Sequence, residues 1–120
     1  MNLKEFSEKA SRTCKALPLE KHNFHMLFGM VCETGELADI YKANLAYDRP
    51  IDMLHVKEEL GDELWFIVNF CRVNNIDLEE VMDLCIAKLY SRYPEKFTEE
   101  KANNRDLVYE RVTLEKAGKA

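Results

Sequence analysis

The chain has 120 residues, 47% of them hydrophobic and 32% charged, with a net charge of -5. That size suggests one domain, and the acidic balance argues against a general nucleic-acid or anionic-membrane binder, because phosphate contacts need an excess of Lys and Arg. A nucleotide stays admissible if a metal ion neutralises its charge. No apolar run reaches the roughly 18 residues of a membrane span, and Met1–Phe6 lack a signal-peptide core, so a cytoplasmic protein is expected. Cys14, Cys32, Cys71 and Cys85 form no CxxC pair and read as reduced core thiols.

Glycine and proline are sparse, and helical spacing dominates over strand alternation. A first helix is expected over about residues 2–16, with Leu3, Phe6, Ala10, Cys14 and Leu17 on one stripe and Pro18 as its stop. A long second helix follows over about 19–46. One apolar stripe there carries Phe24, Leu27, Val31, Ala38 and Leu45, and another Met26, Met30, Leu37 and Ile40. Tyr47-Asp48-Arg49-Pro50 reads as a turn. Asp52 is placed to cap a third helix over about 52–73. After a break at Asn74-Asn75-Ile76, Asp77 starts a fourth helix over about 78–92 with Leu78, Val81, Met82, Cys85 and Leu89 inward, and Pro94 ends it. Thr98 or Asn103 is placed to cap short helices beyond. The expected architecture is all-α. It is a four-helix-type bundle with a long second helix, antiparallel second and third helices, and completion by oligomerisation. Residues 1–112 read as one helical domain and 113–120 as a loosely ordered tail.

Two acidic stretches interrupt apolar sequence. Glu33 and Glu36 are three apart on the second helix, and Glu59 and Asp62 three apart on the third. Residues at i and i+3 share a helix face, and a short turn makes the two helices antiparallel neighbours. The pairs can then face each other. Four carboxylates at close range repel, and some would stay protonated. A divalent cation removes the conflict, and an all-oxygen set suits Mg²⁺ or Mn²⁺ better than zinc. Mg²⁺ commonly shares its site with substrate phosphates. The competing reading of each pair alone is a solvated acidic face. Against it, each pair encloses a glycine, Gly35 or Gly61. A mid-helix glycine costs about 1 kcal/mol against alanine, which suggests close approach by a backbone or ligand.

Glu33-Thr34-Gly35-Glu36 followed by Glu59-Leu60-Gly61-Asp62 resembles the ExxE…ExxD signature of the MazG-like all-α NTP pyrophosphohydrolases, relatives of the dimeric dUTPases. The likeness extends to His25-Met26-Leu27-Phe28-Gly29 and to the KLYSRYPEKF stretch from Lys88 to Phe97, over about residues 20–111. It implies a helical homodimer or homotetramer. It also implies hydrolysis of a nucleoside triphosphate, NTP or dNTP, to monophosphate and pyrophosphate, a nucleotide-pool house-cleaning activity. Glu33, Glu36, Glu59 and Asp62 would hold Mg²⁺, with Mn²⁺ a possible substitute. Glu36 is the first choice as proton acceptor beside Glu33, with Glu58, Asp39 and Glu63 as competitors.

Lys88, Arg92 and Lys96 begin a basic stretch suited to phosphate oxygens or pyrophosphate. Surface ion pairs with acids such as Asp83 or Glu95 are the alternative. His25 shares a stripe with Gly29, Glu33 and Glu36, and the family pattern sets it beside a base pocket. Trp65 and Asn69 could stack on and read a base, or be plain core. His22 and His55 read as surface residues. Two rival functions remain. A di-iron bundle wants ExxH on two helices, and neither Glu33 nor Glu59 has a histidine three residues on. A non-catalytic helical protein-interaction module with solvated acids is the other.

Overall fold

A computed structural model describes residues 1–118, with no strand among them. Six helices follow in order: α1 (Leu3–Ser11), α2 (Leu19–Tyr47), α3 (Met53–Val73), α4 (Leu78–Arg92), α5 (Glu99–Asn103) and α6 (Leu107–Gly118). They gather into two compact units, Met1–Asn75 and Ile76–Ala120.

In the first unit, α2 and α3 form the main pair. His22 meets Asn69, Asn23 meets Asn74, and Thr34 meets Glu63. Early residues of one helix thus face late residues of the other, and the two run antiparallel as expected. The turn between them is built from four local devices. Asp48 takes the left-handed conformation, φ 53°, at the end of α2, a region Asp tolerates better than most residues. Asn44 Nδ2 donates to the Arg49 carbonyl at 2.7 Å. Pro50 prevents the helix from continuing. The Asp52 carboxylate then accepts from the amides of Leu54 and His55 and opens α3.

The Met26, Met30, Leu37 and Ile40 stripe is the covered one on α2, and Met26 is fully buried. The other stripe is left uncovered: Val31 is 71% and Leu45 87% exposed, with Phe24, Leu27 and Phe28 exposed beside them. The deepest positions of α3 are Val68 and Asn69. His22, expected at the surface, is buried and donates from Nε2 to the Asn69 carbonyl at 3.1 Å.

α1 ends at Ser11, earlier than its apolar spacing suggested. The hydroxyls of Ser11 and Thr13 donate to the Glu8 and Ala10 carbonyls, a local alternative to further helix. Thr13 in turn accepts from Trp65 Nε1 at 2.9 Å, which ties α1 to α3. Of the thiols, Cys71 is buried, and burial pushes its pKa up. Cys32 and Cys85, expected in the core, are exposed, because each lies off the packed seam of its helix.

In the second unit, α4 packs on α6. The covered side of α4 carries Leu84, Ala87, Lys88 and Ser91, whereas Val81, Met82 and Cys85, expected inward, are exposed. Position of α6, not apolar spacing alone, selects the face. Thr98 caps α5, accepting from the Lys101 amide, and Asp106 rather than Asn103 caps α6, accepting from the Tyr109 amide. The segment from residue 113, expected to be loose, is helical as far as Gly118, where the chain approaches Leu84 of α4. Residues 119–120 lie outside the described residues.

Candidate metal centre

The α2 pair and the α3 pair meet across the antiparallel seam. One carboxylate oxygen each of Glu33, Glu59 and Asp62 lies within 4.8 Å of the others. Glu36 stands close enough to Glu59 for hydrogen bonding and charge repulsion to raise its pKa. Glu33 is half-buried, Glu59 is buried at 6% exposure, and Glu36 and Asp62 are exposed.

Oε2 of Glu33 and Oε2 of Glu59 are both buried without a hydrogen-bond donor. Buried acceptors without a donor are costly in a protein interior. Burial therefore leads the causes that push Glu33 up to about 7, followed by its hydrogen bond to Glu59 and the charges of Glu36 and Asp62. The neighbouring carboxyl of Glu33, followed by Glu36 and His55, holds Glu59 below the usual carboxylate range. Near neutral pH Glu33 thus keeps its proton in part. Among the described residues, no Lys or Arg forms an ion pair with any of the four. The donor set is hard, anionic and undersaturated, which fits Mg²⁺ or Mn²⁺.

Sequence reasoning missed His55. Its Nε2–H donates to Glu59 Oε1 at 2.9 Å, which leaves the orphaned Oε2 for the cluster. The signal was present, since residues four apart on a helix are neighbours. Thr34 also reaches across the seam, its hydroxyl 2.9 Å from Glu63 Oε2. That engages Glu63, one of the competing proton acceptors. A cleft of about 710 Å³ opens beside Glu36 and Glu59 and reaches the α2–α3 turn. It falls within the range of roughly 300–1,000 Å³ common for small-molecule sites.

The glycines separate into two cases. A Cβ on Gly29 would overlap the Phe66 ring, so the backbone of α2 approaches that ring as only glycine allows. At Gly35 and Gly61 a Cβ would meet nothing within 4 Å. The close approach expected at those two positions is absent within this chain.

His25 is exposed, edge-on to Phe66 at 6.0 Å between ring centres, and Trp65 meets the same ring at 4.9 Å. These form an aromatic row one to two turns from the carboxylates. Asn69 does not join them. It is fully buried, with Nδ2 donating to the Trp65 carbonyl and Oδ1 accepting from Arg72. Its amide edge is occupied internally and does not face a ligand.

In the second unit, Arg92 donates to Glu110, Nε to Oε1 at 2.7 Å and a terminal amino group to Oε2 at 3.3 Å. Arg105 approaches the same carboxylate at 2.7 Å. The guanidinium expected to hold phosphate is therefore engaged in an ion triad centred on Glu110, a residue the sequence did not single out. Hydrogen bonds from Arg92 and Arg105 hold Glu110 down at about 2. Lys88 is half-buried on α4 and Lys96 exposed in the bend after it, and among the described residues neither has an ion-pair partner.

The MazG nucleotide pyrophosphohydrolase domain matches residues 23–97. The chain belongs to that family, and the match takes in all four clustered carboxylates, His25, Trp65 and the basic stretch from Lys88 to Lys96. Comparison with curated proteins and with solved structures found no match. No helix among the described residues is long and apolar enough to cross a membrane.

Proposed function

We propose that this protein is a Mg²⁺-dependent nucleoside triphosphate pyrophosphohydrolase that cleaves between the α and β phosphates. The observation that carries the reading is the convergence of carboxylate oxygens from α2 and α3 with two buried acceptors lacking any donor. Glu33, Glu36, Glu59 and Asp62 would hold the ion, with Mn²⁺ a possible substitute. A divalent ion bound there supplies the positive charge that draws in the phosphates and acidifies the attacking water. Glu36, exposed at the edge of the cluster and lining the cleft, is the proton acceptor in this reading. Glu33 sits deeper and serves mainly as a ligand.

His25 and the exposed part of the Trp65 ring border the base, with Phe66 between them. Lys88 and Lys96 are the remaining cations of the basic stretch for the phosphates. The family match crosses the boundary between the two compact units, so residues 1–112 are read as one working domain. The uncovered stripe of Phe24, Leu27, Phe28 and Val31 on α2 supports a homodimer or homotetramer. We place the enzyme in the cytoplasm, acting on free nucleotides, not on nucleic acid or membranes.

The test is pyrophosphate release from a panel of NTPs and dNTPs with Mg²⁺, run beside Glu36→Gln. Mg²⁺-dependent release that is lost in the variant supports the reading. Absence of release from every nucleotide, in folded protein, overturns it. The uncovered stripe on its own would also serve a non-catalytic interaction module. That alternative predicts no Mg²⁺ effect on melting temperature and little change in Glu36→Gln.

A further inference from the structure

We infer that Arg49, at the α2–α3 turn, binds the β- and γ-phosphates of the substrate and so fixes which way the nucleotide lies in the site. This deepens the reading above and rests on it. The cleft beside the cluster has a carboxylate end, with Glu36 and Glu59, and a turn end, with Arg49 and Pro50. Two further acids line it, and both are already engaged. Asp39 accepts from Lys42 Nζ at 2.8 Å, and Asp52 caps α3. Arg49 has no carboxylate within ion-pair distance among the described residues. Its guanidinium lies over the Tyr47 ring, 5.7 Å from the ring centre, a planar seat that leaves its N–H edges open.

The residue is also held firmly. Its carbonyl accepts from Asn44, its amide donates to the Ala43 carbonyl at 3.4 Å, and Pro50 follows. Arg49 sits on a fixed turn and lines a cleft whose other end carries Glu36 and Glu59, where the proposed Mg²⁺ would bind, and that arrangement suits an anion that spans the two. The terminal phosphates of a triphosphate have that charge, and Arg pairs with phosphate oxygens in bidentate fashion. The nucleoside then points away from the turn, toward the aromatic row of His25, Phe66 and Trp65. This orientation places the leaving pyrophosphate, not the monophosphate, at Arg49.

Titration calorimetry tests this without turnover. Wild type, Arg49→Gln and Arg49→Lys are titrated with pyrophosphate at saturating Mg²⁺, and separately with nucleoside monophosphates of the common bases. The inference expects pyrophosphate affinity to fall about tenfold or more in Arg49→Gln and less in Arg49→Lys. Monophosphate affinity and the melting temperature should hold. Equal pyrophosphate binding in all three proteins, or a loss confined to the monophosphates, overturns it. So does a wild type that takes up Mg²⁺ but no pyrophosphate. If pyrophosphate binds through Arg49 while no nucleotide is hydrolysed, the binding role stands and the proposed reaction falls.

Discussion

Replacing Gly35 and Gly61 by alanine, singly and together, asks why two helices keep glycine beside their carboxylates. No atom lies within 4 Å of a Cβ built at either position. Only the intrinsic helix preference then changes, which favours alanine by roughly 1 kcal/mol in a helix interior. Each single variant should gain about 1 kcal/mol, and the double about 2 if the sites act independently. For a chain of this length each step is on the order of 4 °C in melting temperature. Urea unfolding of the metal-free protein, at fixed protein concentration, measures it as a higher midpoint with unchanged slope. Loss of stability in either single variant refutes the argument, because some neighbour must then occupy space that this chain leaves open. Gly35 lines the cleft and Gly61 does not. The Gly35 methyl should therefore raise KM for the nucleotide while the Gly61 methyl leaves it within a few-fold.

Three other outcomes follow from the same structure. Glu33, raised from 4.5 to about 7, contributes stability to the metal-free fold that is complete below pH 4.5 and lost as pH rises through about 7. In the proposed site Mg²⁺ would have to displace that proton, so any rise in melting temperature on adding Mg²⁺ should be larger at pH 8 than at pH 6, and Glu33→Gln should abolish that difference. His55→Ala frees Oε1 of Glu59 from its donor. The Mg²⁺ concentration for half-maximal activity should rise about 10- to 100-fold, with activity at saturating Mg²⁺ largely retained and His55→Gln in between. Glu110, lowered from 4.5 to about 2, contributes stability that is present above pH 4.5 and lost as pH falls through about 2. The gap in melting temperature between wild type and Glu110→Gln should close over that range, and a constant gap would contradict the triad's role.

The helices and their ends were legible because local chemistry decides them: Asp52, Asp77 and Thr98 cap helices as their side chains dictate. The carboxylate seam was legible because i, i+3 spacing and a short turn determine it together. What escaped the sequence depends on which neighbour claims a side chain. Arg92 reads as a phosphate ligand until Glu110, 18 residues on, takes its guanidinium. Asn69 reads as a base reader until Trp65 and Arg72 use both ends of its amide. His22 carries no local mark that separates a buried donor from a solvated one, and its role comes from the Asn69 carbonyl on α3. His55 is exposed, and its tie to Glu59 follows from i, i+4 spacing within α3. The two stripes of α2 are equally apolar, and only the packing of α3 shows which is covered.

Two acids in this protein face the same problem of burial with opposite solutions. Glu110, 4% exposed, draws two guanidinium groups to itself and stays ionised far into acid. Among the described residues Glu33 draws none, and it rises to about 7. A carboxylate buried for structure is stabilised by a resident partner, as Glu110 is, because leaving it bare is costly. Glu33 and Glu59 keep their inner oxygens without a donor while His55 satisfies only the outer oxygen of Glu59. A resident Lys or Arg in the cluster would settle the charge and close the site to any ion. Its absence among the described residues leaves Glu33 to a proton near neutral pH, and in the proposed function to a divalent cation. That contrast separates the acids of α2 and α3 from the many others three apart on helices, and spacing alone does not.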